Sequence, residues 1–129
     1  METCVLRATG DSFQPEVFLR ESTFQPCNVF HKGERKAESR TWETSGLTVV
    51  VSEGSDDFAQ QATDAIKFLK SNRAELLRLK ESSGLESISL DFGVTRGIGF
   101  LQSHFFPSEL VRLAGELEMA LEVSVYGTD

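Results

Sequence analysis

From Glu86 to Thr95 apolar and polar residues alternate, putting Ile88, Leu90, Phe92 and Val94 on one face and Ser87, Ser89, Asp91 and Gly93 on the other. A period of two is the spacing of a half-buried strand. After a glycine-rich break, Leu110, Leu113, Ala114 and Leu117 recur at helical spacing behind Pro107. Leu121, Val123 and Val125 then alternate with Glu122, Ser124 and Tyr126. Strand, helix, strand in this order predicts a βαβ unit. Its strands should be sheet neighbours joined by a right-handed crossover, with the helix covering one face.

The same reading extends toward the start of the chain. Cys4 to Thr9 alternates and predicts a first strand, broken by Gly10-Asp11-Ser12. Pro15 suits the first turn of a short helix carrying Val17 and Phe18 and reaching toward Glu21. Leu47 to Ser52 is β-branched and apolar, a strong strand signal. Ser22 to Ser45 reads as a long loop with a short strand around Asn28 to Phe30, because Pro26, Gly33 and mixed charges from Lys32 to Arg40 interrupt any pattern. Trp42 is expected to pack at a sheet edge.

A long helix follows Gly54, with Ser55 or Asp56 as N-cap and a stripe of Phe58, Ala62, Ala65, Ile66 and Leu69. Leu76, Leu77 and Leu79 fall out of phase past Ser71-Asn72-Arg73, which predicts a kink or second helix ending near Gly84. Residues from Ser12 to Arg20 and from Phe105 to Arg112 echo one another, each setting a proline near a helix start.

The fold class expected is α+β. A single domain, 1–129, forms a two-layer α/β sandwich in which a mixed four- to five-stranded sheet carries the long helix and the C-terminal helix on one face. Phe58, Ile66, Leu69, Leu113 and Leu117 are the expected core.

Composition narrows the function classes. The chain has 129 residues, 40% hydrophobic and 26% charged, with ten Phe against one Trp and one Tyr. Its formal net charge of −7 disfavours duplex nucleic acid and anionic membranes and favours a basic partner. The charge is uneven: a local +4 from Ala65 to Lys80 and a local −4 from Gly97 to Asp129. No run approaches the roughly 20 apolar residues of a membrane-spanning helix, and the opening residues lack the basic start of a secretory leader. With two cysteines, Cys4 and Cys27, a reduced cytoplasmic protein without a structural disulfide is expected.

Four features together resemble a known family. They are the strand ending at Thr9-Gly10 with Pro15-Glu16 behind it, and Pro26 followed by Phe30-His31-Lys32-Gly33-Glu34. The others are Trp42 ahead of a strand, and Pro107-Ser108-Glu109-Leu110 running into Glu122-Val123-Ser124-Val125-Tyr126. The chain resembles, over nearly its whole length, the bacterial domain-of-unknown-function family forty-two seventy-nine. That resemblance implies a small bacterial α/β domain and transfers no catalytic residue.

Candidate chemistry concentrates in the break from Gly93 to His104. A strand's carboxyl end beside a helix N-terminus attracts anions, so Arg96, Gly97, Gly99, Ser103 and His104 are candidate ligand-binding residues. The glycine spacing matches neither a dinucleotide fingerprint nor a P-loop. Cys27 and His31, four residues apart, offer a thiolate and an imidazole for metal or nucleophilic chemistry, as Cys4 with His104 would if the fold brought them together. Neither Cys-x-x-Cys nor His-Glu-x-x-His is present. Asp56 and Asp57 suit the first turn of a helix rather than acid–base catalysis.

No residue is assigned a catalytic or metal-ligating role, and no cofactor is expected. The leading expectation is a small binding protein that neutralises a basic protein partner in the manner of bacterial immunity proteins, with Glu109, Glu116 and Glu118 as contacts. The alternatives are a small-anion or nucleotide sensor at the Gly93–His104 loop and a metal- or thiol-dependent enzyme at Cys27/His31. A homo-oligomer built on the +4 and −4 segments is a further possibility.

Overall fold

The computed structural model describes residues 3–53 and 57–127. Its elements in chain order are β1 (Cys4–Gly10), α1 (Pro15–Leu19), β2 (Asn28–Phe30), β3 (Arg35–Ala37), β4 (Arg40–Thr41) and β5 (Ser45–Ser52). There follow α2 (Phe58–Ser71), α3 (Arg73–Lys80), β6 (Ser87–Thr95), α4 (Ser108–Glu116) and β7 (Ala120–Tyr126). Five strands form one mixed sheet in the order β2-β5-β1-β6-β7, while β3 and β4 pair separately.

The strand–helix–strand order and the neighbouring of its two strands are as expected. β6 and β7 are parallel neighbours, with Leu90 opposite Leu121 and Phe92 opposite Val123, and every other pairing in the sheet is antiparallel. Alternation decides which face is dry. Cys4, Leu6 and Ala8 of β1 share it with Leu47 and Val49 of β5 and Ile88, Leu90, Phe92 and Val94 of β6. All four helices add buried side chains to this same cluster, so the helical layer lies on one side of the sheet. Of the expected core, Phe58, Leu69, Leu113 and Leu117 are buried, and Ile66 is partly buried against them.

The phase slip in the long helical stretch is a change of direction at Asn72. There α2 ends and α3 begins, the Asn72 carboxamide donates to the Phe68 carbonyl at 3.0 Å, and the turn aims Leu76 and Leu79 into the core. Asp57 caps α2 by accepting the Ala59 N–H at 3.0 Å, whereas Ser55 and Asp56 lie outside the described residues. Gly84 is not the stop itself: α3 ends at Lys80 and Gly84 sits in the turn behind it with φ +84°. A Cβ there would lie 2.4 Å from the Ser12 carbonyl oxygen, and one on Gly10 would lie 1.9 Å from the Gly84 oxygen. These glycines let two backbones touch.

The segment from Ser22 to Ser45 is more ordered than a loop. It contains β2 as expected, followed by the β3–β4 hairpin. That hairpin is polar and exposed, so no hydrophobic alternation marks it. It is held by Trp42, whose ring stacks on Phe30 of edge strand β2 at 3.9 Å and 17°. The Trp42 backbone also exchanges 2.9 Å hydrogen bonds with Gly33 and Glu34. The edge position expected for Trp42 is therefore observed.

Candidate functional site

The connection from β6 to α4 is organised by one side chain. The Gln102 carboxamide accepts the Gly97 N–H at 2.7 Å and donates to the Thr95 carbonyl at 3.3 Å. Its Nε2 also lies 2.9 Å from His104 Nε2, within hydrogen-bond distance of the ring. Beyond Gln102 the chain is anchored by aromatic packing. The Phe58 ring lies 5.0 Å from His104 and 5.1 Å from Phe106, and Phe106 meets Phe92 at 5.5 Å. Between these anchors the segment projects outward. Ile98 is 105% exposed, Phe100 104%, Leu101 77% and Phe105 79%. Four large apolar side chains are thus held in water within eight residues.

Behind the segment lies a hollow of about 480 Å³ against the N-terminal turns of α2, lined by Phe58, Ala62, Ser103, His104 and Phe105 among others. It takes in two of the five candidate residues, Ser103 and His104. Arg96 stands outside, exposed, with its N–H given to the Tyr126 carbonyl at 2.8 Å, which continues the β6–β7 ladder. The Gly97 N–H is taken by Gln102, and Gly99 turns the chain at φ +102° with nothing within 4 Å of a Cβ. Among the described residues no lysine or arginine lines the hollow.

His31 is committed elsewhere. Its Nδ1 is 2.9 Å from Glu34 Oε1 and its Nε2 is 2.5 Å from Glu16 Oε2. Carboxylates on both nitrogens favour the imidazolium: hydrogen bonds to Glu34 and Glu16 raise its pKa above the ordinary value, and Glu34 is lowered by the same contact. Both ring nitrogens thus face carboxylates of this chain rather than a metal or a thiol. Both cysteines are free. Cys27 is exposed just before β2, whereas Cys4 is buried and its thiol is pushed up to about 12, first by burial and then by Asp91 and Asp64. Such a thiol is inert. Among the described residues no group of three or more His, Cys, Asp or Glu is arranged to hold a metal ion.

The uneven charges meet within the chain. Lys70 of α2 pairs with Glu109 of α4 at 2.5 Å, Arg73 of α3 with Glu116 at 3.2 Å, and Lys80 with Glu118. The +4 and −4 segments are thus joined across the helical layer.

Two features of the surface escape one-dimensional reading. The apolar residues from Ile98 to Phe105 sit among glycines that suggested a ligand turn, and nothing in their hydropathy says they stay in water. On the helix-free face of the sheet, Asp91 is only 8% exposed and accepts from the Ser124 hydroxyl at 2.8 Å, with Arg7 at 3.5 Å. Arg7, Asp91 and Ser124 each fall on the polar phase of a strand. Only the strand order brings them together.

Among the described residues no helix is long and apolar enough to cross a membrane. A family model, "Domain of unknown function (DUF4279)", matches residues 1–128. No curated protein and no solved structure matches the chain. With a match over nearly its full length, the chain belongs to the DUF4279 family of domains of unknown function.

Proposed function

We propose that this protein is a non-catalytic binding protein that captures a basic protein partner through the segment from Gly97 to Phe105, as an immunity-type neutraliser in the bacterial cytoplasm would. The observation that carries this reading is the exposure of Ile98, Phe100, Leu101 and Phe105 on a segment pinned at both ends. Large aromatic and aliphatic side chains of this kind are what interface centres are made of. The net charge of −7 supplies the long-range term: it speeds encounter with a basic surface and makes binding fall as salt rises.

Glu109, Glu116 and Glu118 are weaker contact candidates than the apolar segment, because each already faces a lysine or arginine of its own chain. The same pairs remove the electrostatic motive for a homodimer. The sensor reading keeps Ser103 and His104 together but leaves Arg96, Gly97 and Gly99 outside the hollow, and the Cys27/His31 reading lacks an available imidazole.

Co-purification from native lysate at stepped salt tests the proposal. The wild-type chain should retain a basic protein whose recovery falls with salt, and Phe100→Ser with Phe105→Ser should abolish it. Equal recovery by wild type and variant would remove the segment from the interface.

A further inference from the structure

A second hollow, of about 330 Å³, lies between the β3–β4 hairpin and the helix-free face of the sheet. Its lining runs against the charge of the whole molecule. Arg7, Lys36 and Arg40 face it, with Glu43 the one acid among the described lining residues, in a chain of net charge −7. The hollow behind Phe105 has no lysine or arginine among its described lining residues, and the one adjoining across Trp42 sets Arg7 against Asp91. With Arg7 held by Asp91 and Glu122, the positive potential of this concavity comes from Lys36 and Arg40 on the hairpin.

Among the described residues, Lys36 and Arg40 carry the unneutralised charge of this hollow. Arg7 is paired with two carboxylates, Asp91 at 3.5 Å and Glu122 at 3.7 Å, so its charge is shared with the sheet. Lys36 Nζ lies 4.8 Å from the centroid of the Trp42 ring rather than on a carboxylate. Arg40 has no carboxylate within ion-pair distance among the described residues.

The walls are built. Phe30 lies close over Gly46, where a Cβ would come within 2.7 Å of the ring, and Trp42 stacks on Phe30. The base of the hairpin is tied by the Trp42 backbone bonds and by the Ser45 hydroxyl, which accepts the Lys32 N–H at 2.9 Å. A volume of this size is at the small end of ligand sites.

We infer that this hollow binds a small polyvalent oxyanion, a phosphate or a di- or tricarboxylate, held by Arg7, Lys36 and Arg40 beside Trp42. Lys36 and Arg40 supply the charge from the hairpin, Arg7 adds a guanidinium that it shares with Asp91 and Glu122, and Thr9 and Thr41 bring hydroxyls to the lining. The site is separate from the apolar segment, so it stands or falls independently of the partner proposal.

Titration of the full chain with pyrophosphate and, separately, with citrate at fixed ionic strength tests the inference. Trp42, the single tryptophan, reports by its emission, and calorimetry reports the heat. A saturable one-to-one response is expected for at least one anion. Lys36→Gln with Arg40→Gln should weaken it by about tenfold or more, while Lys67→Gln on α2 should leave it unchanged. Saturation by pyrophosphate alone assigns phosphoryl chemistry, by citrate alone carboxylate chemistry, and by both the shared oxyanion recognition. No saturable response to either anion, or a double variant that titrates like the wild type, overturns the inference.

Discussion

His31 Nε2 lies 2.5 Å from Glu16 Oε2, joining the end of β2 to the first turn of α1. With Glu34 on the other nitrogen, the contact ties the hairpin base to the helical layer. The two partners act over opposite pH ranges. A raised His31 pKa gives stability that is complete below the ordinary imidazole value near 6.5 and lost as pH rises through the folded value. A lowered Glu34 pKa gives stability present above the ordinary value near 4.3 and lost as pH falls through its own folded value. The expected outcome is a His31 titration, followed by its ring resonances, displaced upward in the wild type and returned toward 6.5 in Glu16→Gln with Glu34→Gln.

Arg78 performs a similar tie for α3. Its Nε and Nη2 donate to the two Glu75 oxygens at 2.9 and 3.0 Å, Nη2 also donates to the Phe18 carbonyl at 2.9 Å, and the guanidinium lies 4.2 Å from the Phe18 ring. Arg78→Ala should cost about 1–2 kcal/mol in denaturant unfolding, surface screening included. The Glu75 carboxyl is lowered to about 2, chiefly by its hydrogen bonds from Arg78. Its contribution is complete above about pH 4.3 and is lost as pH falls toward 2. Arg78→Ala should therefore flatten the acid limb of the stability profile.

The glycines separate into two kinds. Gly84→Ala meets both a left-handed backbone and a carbonyl 2.4 Å away, and should destabilise by more than about 1 kcal/mol. Gly115 lies in α4 with nothing within 4 Å of a Cβ, and Gly115→Ala should stabilise by about 0.5–1 kcal/mol. Thermal or denaturant unfolding of the two variants reads opposite signs.

The apolar side chains of the β6–α4 connection should matter little to folding. Phe100→Ser and Phe105→Ser are expected within about 0.5 kcal/mol of the wild type, whereas Phe92→Ala, at a fully buried position, should cost about 3–5 kcal/mol. A large loss of stability on replacing Phe100 would place its ring in the core instead.

What could be read from one dimension was whatever repeats. The alternation of Ile88, Leu90, Phe92 and Val94 carries strand, face and burial together, and with Leu113 and Leu117 it points to the helical layer. The β3–β4 hairpin has no such repeat: its order comes from the Phe30–Trp42 stack and from backbone bonds that no residue type announces. The candidate residues of the Gly93–His104 break were chosen for glycine and charge, and two of them do line a hollow. The side chains that stand out there, Phe100 and Phe105, belong to a residue type that sequence reasoning assigns to the interior. Likewise the basic and acidic segments showed as blocks, but their union in Lys70–Glu109 and Arg73–Glu116 needed the packing of α4 on α2 and α3.

Photo-crosslinking from position 100 tests the central claim most directly. With a photoreactive residue replacing Phe100 in the full chain, irradiation in native lysate should yield one discrete heterologous adduct, diminished at high salt and absent when the same residue replaces Lys67. No adduct from position 100, or the same adduct from both positions, would contradict the assignment of this segment as the partner-binding surface.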